Sequence, residues 1–319
     1  MNDYLLAAIL GIVEGLTEFL PVSSTAHIRL SQALLQGEAS LANNYWKLFA
    51  VLIQLPAIFA VVVYFWRRIV AFMRSFVAKP SLRHPIVLVM IAFVVTAVPA
   101  VLLKKLIKGN LESLYVMGGA LVIGGVVMWV IDALYGEREH RREATLSDAA
   151  LAPPHPAGEV LHYETQDVAG ARGTTTMDDM KPWQAAWIGA IQVLSAVFPG
   201  TSRSMCTIAA GQVAGLSRTA ALEFSFFLSI PIMFAACAKD LKDSLNPADD
   251  AYVGHALTGA QYLQIAIGSV TSFLIALACI AWFMGWVKKR GFVPFAVYRI
   301  IIGAIVLAWA YKSAMGGQP

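Results

Sequence analysis

Long apolar runs alternate along the chain with short polar joints. Six runs are long enough to cross a bilayer as helices, at residues 47–66, 86–103, 114–135, 222–238, 261–284 and 295–314. A hydrocarbon core takes about 20 mostly apolar residues per helix. Two further apolar runs are interrupted. Residues 4–30 contain Glu14, Glu18, Pro21 and the polar triplet Ser23-Ser24-Thr25; residues 183–213 contain Pro199-Gly200 and then Thr201-Ser202-Arg203-Ser204. A helix broken at membrane depth leaves backbone groups that only protein or a water-filled cavity satisfies. Both runs therefore read as re-entrant helix–loop–helix hairpins whose tips meet inside the protein. The expected fold is all-α: a polytopic membrane protein of six transmembrane helices plus two re-entrant hairpins arranged as an inverted repeat.

The repeat is visible in the residues. Glu14-Gly-Leu-Thr-Glu-Phe-Leu-Pro21-Val-Ser-Ser24 aligns without a gap to Gln192-Val-Leu-Ser-Ala-Val-Phe-Pro199-Gly-Thr-Ser202, and Pro56-Ala-Ile-Phe59-Ala60 resembles Pro231-Ile-Met-Phe234-Ala235. Residues 1–135 form the first unit, a hairpin plus three spans, and 182–319 form the second. Three spans per unit turn the second copy upside down, which places a shared site near the midplane at the broken helices. Between them, 136–181 is the one long polar stretch, read as a flexible cytoplasmic linker. Its histidines, His140, His155 and His162, fit no metal-site spacing.

Composition narrows the class. Of 319 residues, 58% are hydrophobic and 14% charged, against about 25% charged in a soluble domain. A soluble, disordered or disulfide-built protein is excluded. The three cysteines, Cys206, Cys237 and Cys279, lie in apolar stretches as packing residues. No cleavable signal peptide is evident at the start of the sequence. Of the 24 lysines and arginines, Arg203 and Arg299 fall inside the membrane, fourteen sit in loops of one side and eight on the other. The richer side is assigned to the cytoplasm, which puts both termini in the periplasm.

A few charges escape that sorting. Glu14 and Glu18 are one helical turn apart and share a face. Two such carboxylates inside a membrane segment make sense with a cation or a shared proton between them. Ser23, Ser24, Thr25 and His27 follow, with the makings of an activated nucleophile. Arg203 sits at the second tip among Ser202, Ser204 and Thr207, where a helix start and a guanidinium together suit a phosphate. Paired with Glu14 or Glu18, the same arginine poises an empty site. Glu223 and Arg299 are further in-membrane charges, divided between supporting ion pairs and ligand contact. The whole suits a phosphorylated, membrane-dissolved substrate.

The two stretches Glu14-Gly-Leu-Thr-Glu-Phe-Leu-Pro-Val-Ser-Ser-Thr-Ala-His27 and Pro199-Gly-Thr-Ser-Arg-Ser-Met-Cys-Thr207 resemble the signature motifs of the undecaprenyl-diphosphate phosphatases, also called bacitracin-resistance proteins. The likeness continues through Glu223-Phe-Ser-Phe226 and Pro294-Phe-Ala-Val-Tyr-Arg299. It implies an inner-membrane hydrolase that converts undecaprenyl diphosphate to the monophosphate for cell-wall synthesis, with its site facing the periplasm. Carried over, the acidic motif falls on Glu14 and Glu18, the nucleophile on Ser24, and the motif histidine on His27. Phosphate binding falls on Ser202, Arg203, Ser204 and Thr207, with Ser23 and Thr25 adding hydroxyls from the first tip. A divalent cation, Mg2+ or Ca2+, is implied at Glu14 and Glu18. Ala26 departs from the pattern, standing where many members have glycine.

Two schemes follow: Ser24 attacks the terminal phosphorus with Glu18 or His27 taking its proton, or a water activated by Glu18 attacks directly. The competing class is an inverted-repeat transporter or flippase for a polyprenyl phosphate lipid. Membrane lipids are the remaining partners and no nucleic acid is expected. The residues leave the oligomeric state open, a homodimer included.

Overall fold

The computed structural model describes residues 2–37, 41, 43–103, 106–107, 113–151, 174–247, 253 and 256–316, without the side chains of 136–151, 288 and 314. Its architecture is helical: α1 (Asp3–Thr17), α2 (Ser24–Gln36), α3 (Asn44–Tyr64), α4 (Trp66–Ala78), α5 (Pro85–Leu102), α6 (Leu114–Leu151), α7 (Pro182–Val197), α8 (Arg203–Val213), α9 (Arg218–Leu245), α10 (Gly259–Arg290) and α11 (Val293–Gly316). Six helices among the described residues are long and apolar enough to span a bilayer: α3, α5, the Leu114–Tyr135 part of α6, α9, α10 and α11. The chain is a multi-pass membrane protein.

Two elements differ in extent from the reading of the sequence. The fourth span is α9, Arg218–Leu245, so it begins before residue 222 and holds Glu223 inside the helix. α6 carries on beyond the third span to Leu151, so the first third of 136–181 is helical. Residues 152–173, with His155 and His162, lie outside the described residues, as do Lys104, Lys105, Lys108 and the side chain of His140. The end of the insert is fastened down. Thr174 N–H donates to the Gly215 carbonyl, Ser217 N–H donates to the Thr174 carbonyl, and Gln184 Nε2 donates to the Ala214 carbonyl at 2.8 Å.

α1 packs along α10, and α7 packs along α5; α3 meets α9 and α10, and α6 lies against α11. Two glycines permit the first pair of approaches. A Cβ on Gly11 would lie 2.5 Å from the Gly268 carbonyl oxygen, and one on Gly189 would lie 2.5 Å from that of Ala92. The second contact is sealed by Thr96 Oγ1, which donates towards the Gly189 carbonyl at 2.8 Å. Phe59 and Phe234, each three residues past a proline within its helix, meet edge to face at 5.6 Å. Small residues of this kind let helices approach where no hydrophobic effect drives them together.

Overpacking a tight core contact costs about 1–3 kcal/mol. Gly189→Ala is therefore expected to lower the thermal unfolding midpoint of the detergent-purified protein. Gly119→Ala, where a Cβ meets no atom within 4 Å, is expected to leave the midpoint nearly unchanged.

Candidate active site

The site begins with two interrupted helices. α1 ends at Thr17, with the Glu18 N–H bonded to the Glu14 carbonyl, and the chain turns before restarting as α2 at Ser24. α7 ends at Val197 and restarts as α8 at Arg203. The residue before each restart is a serine with positive φ, Ser23 at 75° and Ser202 at 70°, and these are the two non-glycine residues of that kind among those described. Such backbone costs on the order of 1–3 kcal/mol and persists only where its surroundings enforce it.

This geometry shifts the register of the repeat. The gapless alignment pairs Ser24 with Ser202, but the helix starts pair Ser23 with Ser202 and Ser24 with Arg203. The second tip holds one more residue after its proline, Pro199-Gly-Thr-Ser202 against Pro21-Val-Ser23. Ser24 and Arg203 thus occupy the same first helical position.

Arg299 joins the tips. Its side chain is fully buried; Nη1 donates to the Pro21 carbonyl at 3.0 Å, and Nη2 faces those of Gly200 and Thr201 at 3.0 Å and Ala120 at 3.2 Å. Ser204 Oγ crosses the same gap to the Leu20 carbonyl at 2.9 Å. The broken ends are therefore satisfied by the opposite hairpin and by α11.

At the centre, Ser24 Oγ donates to Glu18 Oε2 at 2.5 Å, and Arg203 Nη2 donates to Glu18 Oε1 at 3.3 Å. Arg203 Nη1 reaches the Ser225 carbonyl at 3.2 Å. One turn before Glu18, Glu14 is 1% exposed and neither carboxylate oxygen has a hydrogen-bond partner among the described residues. A buried carboxyl without a donor is costly unless a cation or a proton accompanies it. The pair fits a divalent cation of the kind held by one or two carboxylates plus water and substrate phosphate. Among the described residues no cluster of three or more His, Cys, Asp or Glu adds to it.

The other sequence candidates divide. Ser202 Oγ lies 3.0 Å from Ser204 Oγ and accepts from the Met205 N–H, so both hydroxyls are spent on the tip itself. Thr207 Oγ1 donates to Ser225 Oγ at 2.7 Å and lies 3.0 Å from the Arg203 carbonyl. Ser23 is buried but makes no side-chain cap, and Thr25 is exposed. His27 turns away from Ser24. Its Nδ1 lies 2.7 Å from the Ser23 carbonyl, an acceptor, so Nδ1 carries the proton and Nε2 accepts from the Tyr298 hydroxyl at 2.7 Å. Glu223 leaves the cluster for Arg68, whose Nη1 is 2.6 Å from its Oε1.

Four participants had no such signal in the sequence. Tyr298 was quoted beside Arg299, but nothing local marks a tyrosine as the partner of a histidine in the first hairpin. Ser225, which meets both Arg203 and Thr207, reads as an ordinary hydroxyl in a span. Asp132 and Arg218 pair at 2.8 Å, and Asp132 also accepts from the Phe292 N–H at 2.9 Å. They tie α6, α9 and α11 together at a distance in sequence that periodicity does not reach.

Fold and site define a helical, multi-pass membrane protein with a buried serine–carboxylate–arginine centre where two helical hairpins meet. The model of the family described as bacitracin resistance protein BacA matches residues 7–305, and the chain belongs to that family. Curated relatives named undecaprenyl-diphosphatase include one from Koribacter versatilis, 49% identical over 98% of this chain and 100% of its own length. Another, from Cupriavidus necator, is 39% identical over 96% of this chain and 95% of its own length.

Hydrogen bonds from a charged donor contribute about 1.5–3 kcal/mol each. Arg299→Met, which keeps the bulk and removes the donors, is expected to destabilise the protein by more than about 3 kcal/mol. A large fall in its thermal midpoint in detergent would register the loss.

Proposed function

We propose that the protein hydrolyses undecaprenyl diphosphate to undecaprenyl phosphate and phosphate, recycling the lipid carrier of cell-wall synthesis in the bacterial inner membrane and so conferring bacitracin resistance. The observation that carries this reading is the 2.5 Å contact of Ser24 with Glu18, itself bonded to Arg203. A carrier or flippase for a lipid phosphate needs to hold its cargo. It does not need a hydroxyl aimed at a proton acceptor.

In the mechanism, the terminal phosphoryl group lies against the start of α2, which has no side-chain cap, and the start of α8. Free amides at a helix start favour an anion. Arg203 holds the phosphoryl oxygens and offsets the charge that grows as the bond to phosphorus forms. Ser24 Oγ attacks phosphorus while its proton passes to Glu18 Oε2, and the bond to the bridging oxygen breaks, releasing the monophosphate lipid. Water then attacks the phosphoserine, returning the hydroxyl to Ser24. Glu14, with Glu18, would hold a divalent cation, which would neutralise diphosphate charge. His27 and Tyr298 brace the Ser23 carbonyl, so the first tip keeps Ser24 on Glu18. Ser202, Ser204 and Thr207 shape the second tip in the same way.

The inverted arrangement of 1–135 and 182–319 is supported by the exchange of partners between halves: α1 on α10 and α7 on α5, with Phe59 on Phe234. The surplus of positive charge in one set of loops supports periplasmic termini and a site open to the periplasm.

Phosphate release from undecaprenyl diphosphate by the detergent-purified protein is the direct test. No release by the wild type with Mg2+ or Ca2+ present would overturn the reading. Glu18→Gln is expected to lower kcat by about 10²–10⁴-fold. Ser24→Ala is expected to lose turnover to a similar degree and to trap no phosphoprotein. Chelation should abolish turnover and either cation restore it, with Glu14→Gln raising the cation concentration needed for half activity.

A further inference from the structure

One helix has no part in the site. α4, Trp66–Ala78, follows α3 after the single residue Phe65 and precedes α5. α3 and α5 have 21 and 18 residues, and at about 1.5 Å per residue each consumes the thickness of a hydrocarbon core. The segment between them therefore stays at one face of the membrane.

Its sequence divides α4 into three edges. Phe72 is buried and meets the tilted ring of Phe227 at 5.5 Å, while Arg68 pairs with Glu223 and Ser75 Oγ lies 3.0 Å from His84 Nε2; this edge faces the protein. Trp66, Val70, Met73 and Val77 recur at helical spacing, and Trp66, Met73 and Val77 are 59%, 53% and 81% exposed. A third edge carries Arg67, Arg74 and Ala78, all exposed. Exposed apolar side chains next to exposed arginines match the two layers of a membrane surface, acyl chains beneath and charged headgroups above. Water on the apolar edge would expose a contiguous hydrophobic stripe.

We propose that α4 lies in the membrane interface and binds anionic phospholipid headgroups through Arg67 and Arg74, and that this seating supports turnover. Charge complementarity selects the occupant: both charged side chains on the headgroup edge are cations, and no acidic residue occurs in α4. The route to the site is short. Phe72 meets Phe227, Phe227 meets Phe65 at 5.2 Å, Phe65 meets Phe226, and Phe226 meets Phe19, the neighbour of Glu18, at 5.5 Å. The turn of α9 that α4 grips through Glu223 and Phe227 also supplies the Ser225 carbonyl to Arg203.

Placement is tested by spin labels, since Cys206, Cys237 and Cys279 are buried and leave introduced cysteines as the reactive ones. A label at Val77→Cys is expected to collide with oxygen dissolved in the acyl region, and one at Ala71→Cys with a water-soluble nickel complex. Both labels in water would overturn the proposal. Lipid selection is tested in nanodiscs of phosphatidylcholine with and without about 30 mol% phosphatidylglycerol, an anionic fraction that gives the surface a negative potential. Wild-type turnover is expected to rise with phosphatidylglycerol. Arg67→Gln/Arg74→Gln is expected to keep the phosphatidylcholine rate and lose the increment. Its retention of phosphatidylglycerol, followed by native mass spectrometry, should fall about fivefold per arginine. No lipid response by the wild type, or an unchanged response in the double variant, would overturn the proposal. The turnover arm rests on the phosphatase reading, whereas labels and lipid retention do not. A protein inactive in every lipid would therefore defeat that reading and leave α4 to be judged by the other two.

Discussion

Everything at the centre of this protein depends on a buried guanidinium that belongs to neither hairpin. Two helices are broken inside an apolar envelope, and every carbonyl freed by the breaks needs a donor. Arg299 supplies donors to the Pro21, Gly200 and Thr201 carbonyls and reaches Ala120 on α6. One planar group with several fixed donors closes two turns that do not close themselves. An ammonium on a flexible stem lacks that fork, so lysine is no equivalent. The arrangement also explains how positive-φ serines survive at both tips: the strain is offset by contacts outside each turn.

Arg299 and Arg203 divide the work. Arg299 faces carbonyl oxygens and is consumed by architecture. Arg203 spends one amino group on the Ser225 carbonyl and one on Glu18, leaving Nε without a hydrogen-bond partner among the described residues. Glu14 is likewise unmatched. A site whose own groups nearly but not fully satisfy one another suits a substrate that brings both negative oxygens and an accompanying cation. Its hydroxyls mostly hold the two tips, which leaves Arg203 and the helix starts as the groups not consumed by architecture.

Much of this was legible in the residues. Twenty apolar residues in a row have few alternatives to a span, and a proline beside serines and a charge inside such a run has few alternatives to a break. Glu14, Glu18 and Arg203 stood out because charge at that depth is expensive, Ser24 because its hydroxyl follows the acids, and the structure brings Ser24, Glu18 and Arg203 into contact with Glu14 one turn away. What sequence does not carry is direction. Arg299 and Tyr298 are adjacent, yet one locks the tips and the other holds His27. Glu223 is as buried as its setting implied but points to Arg68. The pairing of Ser24 with Arg203 was hidden by a single extra residue after Pro199, because a gapless alignment compares letters and the helix start compares positions in space.

The order of synthesis gives the joined tips a temporal meaning. A ribosome delivers the N-terminal half first, and that half contains Glu14, Glu18 and Ser24 without either arginine. Glu18 meets its partner 185 residues later in the chain, and the clamp on Pro21 comes 278 residues after it. Until α8 emerges the first tip has no arginine for Glu18, and until α11 emerges it has no guanidinium on its Pro21 carbonyl. A chain cut before α8 therefore carries Glu14, Glu18 and Ser24 without Arg203, and one cut before α11 lacks the bonds that hold the two tips together.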